Sequence, residues 1–470
     1  MNRLTKSGRI FRFPILIILL VIILLFLSPF LLSWITRTII TIIDRNQVRA
    51  TWLNSAELLS SMPHLQFYFS KEVDPILVET SFFSEPEAQG LWIWLEEDLA
   101  IWQPQKPIQS GQIMRFGFQE LEEDTGTNTV RIKSITWQTF VREPEIVFLK
   151  GTEDGKELFK LSLSAPEIEN QLTKTDGWVY DFTVSPDGER IIFSKMNDQS
   201  GMDLWLIGRH GESPNMVLDC GVDRCSSPDW NPIRDQIVYL MEKSITSSLT
   251  WDLPVPYRLN LVTGNVSALF KDQNQIGYDP IWSSRGQWIS IWQGDRGGTV
   301  ILQAESQEVG YADPDSEDTG CWSPEERYFY YSNVRQEGLP IVSIIYQVEI
   351  LSGLRDFYTD GSLLDLGYNY YYPVCHPNGE GLLAVVQVDP KIPQRELWWI
   401  QADGSYQKIY TDLSQMVTQF TWNPAGSRVM FLRDTLLGLQ DGSKIMIWEK
   451  DSGEELSEIS DHVFKARWLP

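Results

Sequence analysis

From about residue 140 onward, short apolar stretches alternate with turns rich in Pro, Gly, Asn and Asp. Ile191–Phe193, Trp288–Ile291 and Val429–Leu432 are examples of these stretches. Apolar runs of this length, bounded by turn residues, are typical of β-strands that pack in a core. The pattern therefore predicts an all-β fold for most of the chain.

One motif recurs six times: an aromatic or β-branched residue, a small polar residue, Pro, a turn and a short apolar strand. The Pro position falls at residues 186, 232, 284 (a Ser), 324, 377 and 424, with spacings of 46, 52, 40, 53 and 47. Pro presets the first corner of a tight turn, and Asp-Gly or Asn-Gly supplies an acceptor and a residue with positive φ. Periods of this length fit four short strands per unit, the size of one propeller blade.

These copies resemble the Trp-Ser-Pro-Asp-Gly repeat of TolB-like, or WD40-like, β-propellers. The same repeat occurs in tricorn and in the propellers attached to prolyl-oligopeptidase-like enzymes. Only Ser185–Gly188 is a complete copy; the third has Ser284 in place of Pro, and the fourth has Glu325 and Glu326 in place of Asp-Gly. The resemblance covers about residues 140–470 and implies a propeller.

The chain end predicts how the ring closes. Residues 464–470 look like a seventh copy of the first strand, because Pro470 lies 46 residues after Pro424. Residues 145–149, 156–161 and 171–173 would supply the second, third and fourth strands. We therefore expect a seven-bladed propeller over residues 141–470, closed by strand 463–470. Six blades remain the alternative, because Ile135–Trp137 could serve as a first strand.

The N-terminus predicts a membrane anchor. Residues 13–35 contain no charged residue, which is long enough for a transmembrane helix. A cleaved signal peptide fits less well, because the apolar core is long and no small-x-small site follows it. Arg3, Lys6, Arg9 and Arg12 make the 1–12 arm basic, which favours a single-pass protein of the cell membrane with its N-terminus inside and the propeller outside the cytoplasm.

Two further segments separate the anchor from the repeat. Residues 36–62 are expected to form a juxtamembrane amphipathic helix or linker, with Val48 and Trp52 on one side. Residues 63–140 are expected to form a small β-rich module. Its strands would include Leu91–Trp94 and Ile113–Phe118, and a hairpin would follow the turn at residues 125–128.

Charge excludes one class of partner. The chain has a net charge of −24, while residues 1–49 carry seven Lys or Arg and a single acid, so the remainder is still more acidic. A body this acidic repels phosphate backbones, and we expect no nucleic-acid binding. The four His are scattered, and no cofactor is expected.

Candidate binding residues stand five positions before each motif Pro. Equivalent positions on the innermost strands of a propeller form a ring around its axis. Polar residues are expected there simply because the channel is wet; the sharper hypothesis is that the ring binds a peptide end, a sugar or a cation. The ring consists of Asp181, Ser227, Asp279, Thr319, Tyr372, Gln419 and, from the closing strand, Lys465.

The cysteines predict one disulfide. Cys220 and Cys225 flank a short loop, and a local bridge between them is plausible in an oxidising compartment, with two free thiols as the alternative. Cys321 and Cys375 lie in first strands but one position out of register. Because side chains alternate along a strand, a bridge between these two is not expected.

An acidic turn is a weak calcium candidate. Oxygen ligands at alternating positions could hold Ca²⁺, but the sixth position, where Gly is expected, is acidic. A solvated loop is the competing interpretation. The candidate ligands are Asp313, Asp315, Glu317 and Asp318.

The sequence lacks familiar catalytic motifs. It has no Gly-x-Ser-x-Gly elbow, no phosphate-binding Gly-rich loop and no His-Glu-x-x-His, and no α/β-hydrolase domain is expected after the repeat. We therefore expect a non-catalytic scaffold that binds a protein, peptide or glycan in a cell envelope. The alternative is a hydrolase or lyase that acts on envelope polysaccharide with carboxylates at one channel mouth. A sensor that relays ligand binding through its span is a third possibility.

Overall fold

The computed structural model describes residues 47–53, 58–124, 129–152, 155–245, 250–272, 275–293, 298–313, 318–335, 341–359, 363, 366–412, 414–435, 443–450 and 457–470. Within these ranges the chain is almost entirely β-strand, with a short α-helix at Pro75–Ser81. No helix in the described part is long and apolar enough to cross a bilayer. The arm 1–12 and the predicted span 13–35 lie outside it.

Residues 47–141 form the N-terminal β module. Its sheets enclose one core, at the centre of which Phe67 packs edge-on against Phe116 and Phe118. The first sheet contains Gln47–Val48, Thr129–Ile132 and Leu121–Asp124; the second contains Ala50–Trp52, Leu65–Phe69, Leu99–Pro104 and Gly90–Glu96; the third contains Leu58–Leu59, Ile135–Val141, Ile113–Phe118 and Phe82–Glu85.

The expected linking helix is wrong where the structure describes it. Residues 47–52 are strands, in which Val48 pairs with Ile132 and Trp52 pairs with Phe67. The apolar residues here are buried at every second position, which is the period of a strand and not of a helix. Residues 47–52 therefore belong to the module, which was expected to include only residues 63–140. The antiparallel pairing of residues 121–124 with 129–132 forms the expected hairpin.

Residues 145–470 fold into four-stranded antiparallel meanders, as the repeat predicts. We number them in chain order and name the one that contains both chain ends the closing unit. Unit 1 contains Val179–Val184, Arg190–Met196, Met202–Gly208 and Asn215–Leu218; unit 2 contains Arg224–Trp230, Gln236–Glu242, Val255–Asn260 and Val266–Ala268, with a side hairpin of Ser244–Ile245 and Thr250–Trp251. Unit 3 contains Tyr278–Trp282, Trp288–Trp292, Thr299–Gln303 and Val309–Asp313; unit 4 contains Cys321–Trp322, Tyr328–Val334, Ser343–Glu349 and Arg355–Phe357. Unit 5 contains Asn369–Cys375, Gly381–Gln387, Glu396–Gln401 and Tyr406–Tyr410; unit 6 contains Gln415–Trp422, Arg428–Thr435, Ser443–Glu449 and the first part of Ser457–Leu469.

The meanders pack face to face in a ring, which is the architecture of a β-propeller. A hydrophobic cluster joins each unit to the next, and one joins the closing unit to unit 1. The Trp that precedes the motif fills the space between units. Trp422 of unit 6, for example, meets Trp399 of unit 5 edge-on, with ring centroids 5.5 Å apart.

Closure follows the prediction from the chain end. Ser457–Leu469 is one long strand with two uses: its first part pairs with Ser443–Glu449 in unit 6, and residues 463–469 pair with Glu145–Thr152. The closing unit is completed by Gly155–Ser162 and Ala165–Gln171. Ile135–Val141, the strand that a six-bladed ring would need, pairs inside the N-terminal module instead.

The disulfide between Cys321 and Cys375, which the sequence argument did not expect, is present. Adjacent units meet through opposite faces of their sheets, so two inner-strand residues that face each other must differ by one position in register. Trp322 packs toward unit 3, and its neighbour Cys321 therefore points toward unit 5. A disulfide between the inner strands of adjacent units therefore requires an offset of one position in register. The sequence argument had counted this same offset against the bridge.

Candidate binding site at the channel mouth

A repeated β-bulge shapes the innermost strands. The strand register shifts around the ring position in units 1, 2, 3, 5 and 6. Left-handed φ angles of 50°, 45°, 54° and 47° occur at Ser227, Asp279, Tyr372 and Gln419. None of these residues is Gly, so each conformation costs free energy that the surrounding sheet must supply. Bulges of this kind re-aim side chains and are common next to functional sites.

Six of the seven predicted ring residues line a single cavity of about 830 Å³. Tyr372 is the exception: its side chain is largely exposed, and its backbone N–H donates to Asp318 Oδ2 at 3.1 Å. The Tyr372 ring instead lies beside Arg395, whose guanidinium carbon is 5.6 Å from the ring centroid. The residues that do share the cavity are Asp181, Ser227, Asp279, Thr319, Gln419 and Lys465.

Two ion pairs connect the closing strand to the first two units. The ammonium of Lys465 pairs with Asp181, which also accepts a hydrogen bond from the backbone N–H of Phe182 at 2.7 Å. Arg467 Nη1 lies 3.7 Å from Asp229 Oδ1. The charged groups at the channel mouth therefore also attach the closing strand to units 1 and 2.

Burial dominates the electrostatics of the mouth. It raises the pKa of Asp229 and of Asp279, and it lowers the pKa of Lys465. The nearby cations oppose the rise at both carboxyl groups, and Asp181 opposes the fall at Lys465. Three carboxyl groups face two cations here, so the site carries an excess of acid and suits ligands with hydrogen-bond donors or a positive charge.

Asp229 and Arg467 were not identified from the sequence. Both stand three positions before their motif Pro, at residues 232 and 470, whereas the ring was sought five positions before it. Side chains two positions apart lie on the same side of a strand, so this period would have revealed them.

Where the structure describes them, the candidate calcium ligands accept hydrogen bonds from other groups of the protein. Asp313 accepts hydrogen bonds from Tyr331 at 2.6 Å and Asn333 at 3.0 Å and pairs with Arg355 at 3.0 Å. Asp318 accepts from the backbone N–H of Gly320 at 3.0 Å, besides Ser332 and Tyr372. Both carboxylates serve to join strands. Asp315 and Glu317 lie outside the described residues, and the described part shows no cluster of metal-ligating side chains.

The expected Cys220–Cys225 disulfide is formed, with the Cα atoms 6.3 Å apart. It closes the loop that leads into unit 2. Trp251 of the side hairpin donates from Nε1 to the carbonyl of Val222 at 3.0 Å, and the guanidinium of Arg224 lies 3.3 Å from the Trp251 ring centroid. The bridge and the hairpin thus stiffen one loop of the ring together.

The N-terminal module lies over the turns that carry the motif. A cavity of about 600 Å³ separates the two, with Met62, His64 and Gln105 on the module side. Burial lowers the pKa of His64, which also lies near Asp187 and the backbone of Pro232 in the turns of units 1 and 2. The propeller side of this cavity includes Pro186, Pro377, Pro424 and Pro470, which also line the channel-mouth cavity.

Comparison with known proteins supports the assignment of the fold and nothing further. No family model and no curated protein matches the sequence. TolB from Acinetobacter baumannii is 16% identical over 70% of this chain and 83% of its own, with a TM-score of 0.41. An oligogalacturonate lyase in complex with manganese is 11% identical over 68% of this chain and 85% of its own, with a TM-score of 0.46. A puromycin hydrolase mutant in complex with PGG is 11% identical over 68% of this chain and 52% of its own, with a TM-score of 0.51.

Proposed function

We propose that this protein is a membrane-anchored, extracytoplasmic propeller of seven blades that binds a protein, peptide or glycan partner without catalysis. Units 1–6 together with the closing unit support the count of seven. The observation that carries the binding proposal is the channel mouth, where six polar ring residues converge on one cavity.

The charges of the mouth support binding rather than catalysis. Asp181 and Asp229 are paired with Lys465 and Arg467, so two of the three carboxylates hold the closing strand. A carboxylate that is committed to a structural ion pair is a poor proton donor or acceptor. Asp279 remains as the acidic group best placed to meet a ligand donor.

Location outside the cytoplasm is supported by the cysteines and the N-terminal sequence. All four cysteines lie in described residues and form two disulfides. Disulfides persist mainly in oxidising compartments. An uncharged segment at residues 13–35 behind a basic arm would hold the protein at the membrane with its propeller outside.

The alternative function is an envelope polysaccharide hydrolase or lyase. A specific observation favours it: Asp181, Asp229 and Asp279 all line one cavity, and burial raises the pKa of two of them. A raised pKa is what a general acid requires. In that mechanism Asp279 would be the proton donor.

Replacement of Asp279 tests both candidates. The full chain and the Asp279→Asn variant are used to capture partners by crosslinking in native membranes, and both are incubated with envelope polysaccharide while reducing ends and unsaturated products are measured. Asp403→Asn, in an exposed turn of unit 5, is the matched control. The proposal expects wild type and control to capture the same partner and Asp279→Asn to capture less, with no polysaccharide cleavage. Capture that is unchanged in Asp279→Asn contradicts the binding site, and cleavage that Asp279→Asn abolishes establishes the alternative.

A further inference from the structure

The N-terminal module lies across the entrance to the channel. The cavity of about 600 Å³ beneath the module takes its propeller wall from the motif turns of units 1, 3, 4, 5 and 6 and from the chain end. Pro186 of unit 1 and Pro324 of unit 4 thus line the same space although their units are not adjacent. A space bounded by turns from around the ring lies over the axis of the ring. We name this space the gap.

The gap and the channel-mouth cavity share part of their walls. The gap therefore leads directly into the cavity that holds the ring residues. A volume of this size admits an extended chain, whereas a folded partner would have to displace the module. The residues that line both cavities are Pro186, Cys375, Pro377, Pro424 and Pro470.

The acid best placed to meet a ligand lies well inside the channel. Asp279 stands five positions before Ser284, which lines the gap in the turn of unit 3. At about 3.3 Å per strand residue, with one residue taken up by the bulge, this depth is about 13–16 Å. An extended chain of about five residues covers such a distance. The four-carbon stem of a lysine in the gap is too short, so the group that reaches Asp279 from the gap is the end of a chain.

Charge selects which end of a chain the mouth accepts. Among the described residues, the Asp279 carboxylate has no ion pair and no hydrogen bond, and it is exposed to the cavity. Lys465 and Arg467, the two cations on the cavity wall, are each paired with another aspartate. The gap carries one charge of each sign, on Arg285 and Glu325. The mouth is therefore the more negative end of the path and favours an ammonium group over a carboxylate.

The neighbours of Asp279 in the ring also suit an ammonium group. Ser227 and Thr319 occupy the equivalent positions of units 2 and 4, and both line the cavity. Their hydroxyl oxygens are acceptors, as is the carboxylate of Asp279. An ammonium group has three N–H donors, and these three positions offer it three acceptors.

We propose, on the basis of the binding role given to the mouth above, that the ligand is the free N-terminus of a polypeptide. Its ammonium group would bind Asp279, and its first residues would extend through the gap beneath the module. The module would then form one wall of the binding site and restrict it to extended chains.

Capture of peptides by the immobilised full chain in detergent tests the ligand class. Two libraries of random hexapeptides, one with free N-termini and one N-acetylated, are compared at pH 7 and physiological ionic strength, and bound peptides are quantified by mass spectrometry. Wild type should retain the free-amine library about tenfold better, as expected for one hydrogen bond between charged groups. Asp279→Asn should lose this preference, whereas Asp403→Asn, in an exposed turn, should keep it. Equal retention of both libraries by wild type, or a preference that survives in Asp279→Asn, overturns the proposal.

Added bulk in the gap tests the path. Gln105 is exposed and lines the gap from the module, so Gln105→Trp should reduce capture of the free-amine library severalfold. Gln119→Trp is the matched control, because Gln119 is exposed on the module and lines neither cavity. Equal capture by the two Trp variants contradicts a ligand that lies in the gap.

Failure here is distinguishable from failure of the binding role itself. If wild type shows no preference for free amines but Asp279→Asn still loses the partner captured in native membranes, the mouth binds a ligand that is not an N-terminus. If Asp279→Asn also captures that partner unchanged, the binding role of the mouth is wrong as well.

Discussion

The Cα atoms of Cys321 and Cys375 lie 5.6 Å apart, and the disulfide between them joins the inner strands of units 4 and 5. The bond closes a loop of 54 residues, whereas the Cys220–Cys225 bond closes one of only 5. Loop closure restricts the unfolded chain more when the loop is longer.

Removal of the longer bridge should therefore cost more. Cys321→Ser with Cys375→Ser is expected to lower the free energy of unfolding by about 2–4 kcal/mol, and Cys220→Ser with Cys225→Ser by about 2 kcal/mol or less. Chemical denaturation of both double variants measures the order. Equal losses would mean that the inter-unit bridge adds nothing beyond a local one.

The ion pair between Lys465 and Asp181 should stabilise closure of the ring. Lys465→Met leaves Asp181, whose side chain is only 12% exposed, without its cation, and should cost about 2–3 kcal/mol. Addition of Asp181→Asn should recover part of this loss, because the unpaired charge is then absent. Urea denaturation of wild type, both single variants and the double variant gives the coupling free energy between Lys465 and Asp181.

Lys444→Met is the control for that cycle. Lys444 pairs with Glu458 on the surface, where both side chains are about 40% exposed. An exposed pair contributes about 0–1 kcal/mol. If Lys465→Met costs no more than Lys444→Met, the pair in the mouth does not stabilise closure.

Gly188 tests how tightly the chain end is held. A Cβ at Gly188 would overlap the carbonyl oxygen of Pro470, which accepts a hydrogen bond from Arg209 at 2.7 Å. Gly264 has the same φ of 73° but open space around its Cβ position. Gly264→Ala should cost about 1 kcal/mol from backbone strain alone. Gly188→Ala should cost clearly more in thermal and urea unfolding, and equal costs would argue against a docked chain end.

The buried carboxyl group of Asp318 should make the free energy of unfolding depend on pH. Burial raises the pKa of its carboxyl group to about 6 in the folded protein, against an unfolded value of 3.8. Between these values the folded state binds more protons than the unfolded state, so the free energy of unfolding falls as pH rises through this window. Asp318→Asn lacks this titration. Relative to it, wild type should lose stability on the order of 2 kcal/mol between pH 4 and pH 7, as measured by urea denaturation. A difference that stays constant with pH, or that grows in favour of wild type, would contradict the raised pKa.

The sequence predicted the features that repeat. The motif spacing located the inner strands and, through Pro470, the strand that closes the ring. It failed where contacts between elements decide the structure. Val48 and Trp52 were assigned to a helix, but pairing with Ile132 and Phe67 makes them strands. Tyr372 was placed in the ring by its position, but its side chain is about half exposed and does not line the cavity that the other six residues share.

Some residues that line the cavities were also missed in the sequence analysis. A search at one offset from the motif found Asp181 and Lys465 but passed over Asp229 and Arg467, two positions further on. A pocket between the module and the ring is lined by residues as far apart as Leu58 and His210, which no spacing along the chain brings together. Such sites follow from the closed ring and the docked module and not from any local pattern.

Hydrogen exchange of the chain end tests the closed ring most directly. Residues 463–469 form the innermost strand of the closing unit, with Phe148 opposite Ala466 and Ile146 opposite Trp468. Their amides should exchange as slowly as those of the equivalent inner strand Val179–Val184. Exchange of residues 463–469 at the rate of an unpaired terminus, while Val179–Val184 stays protected, would contradict the account.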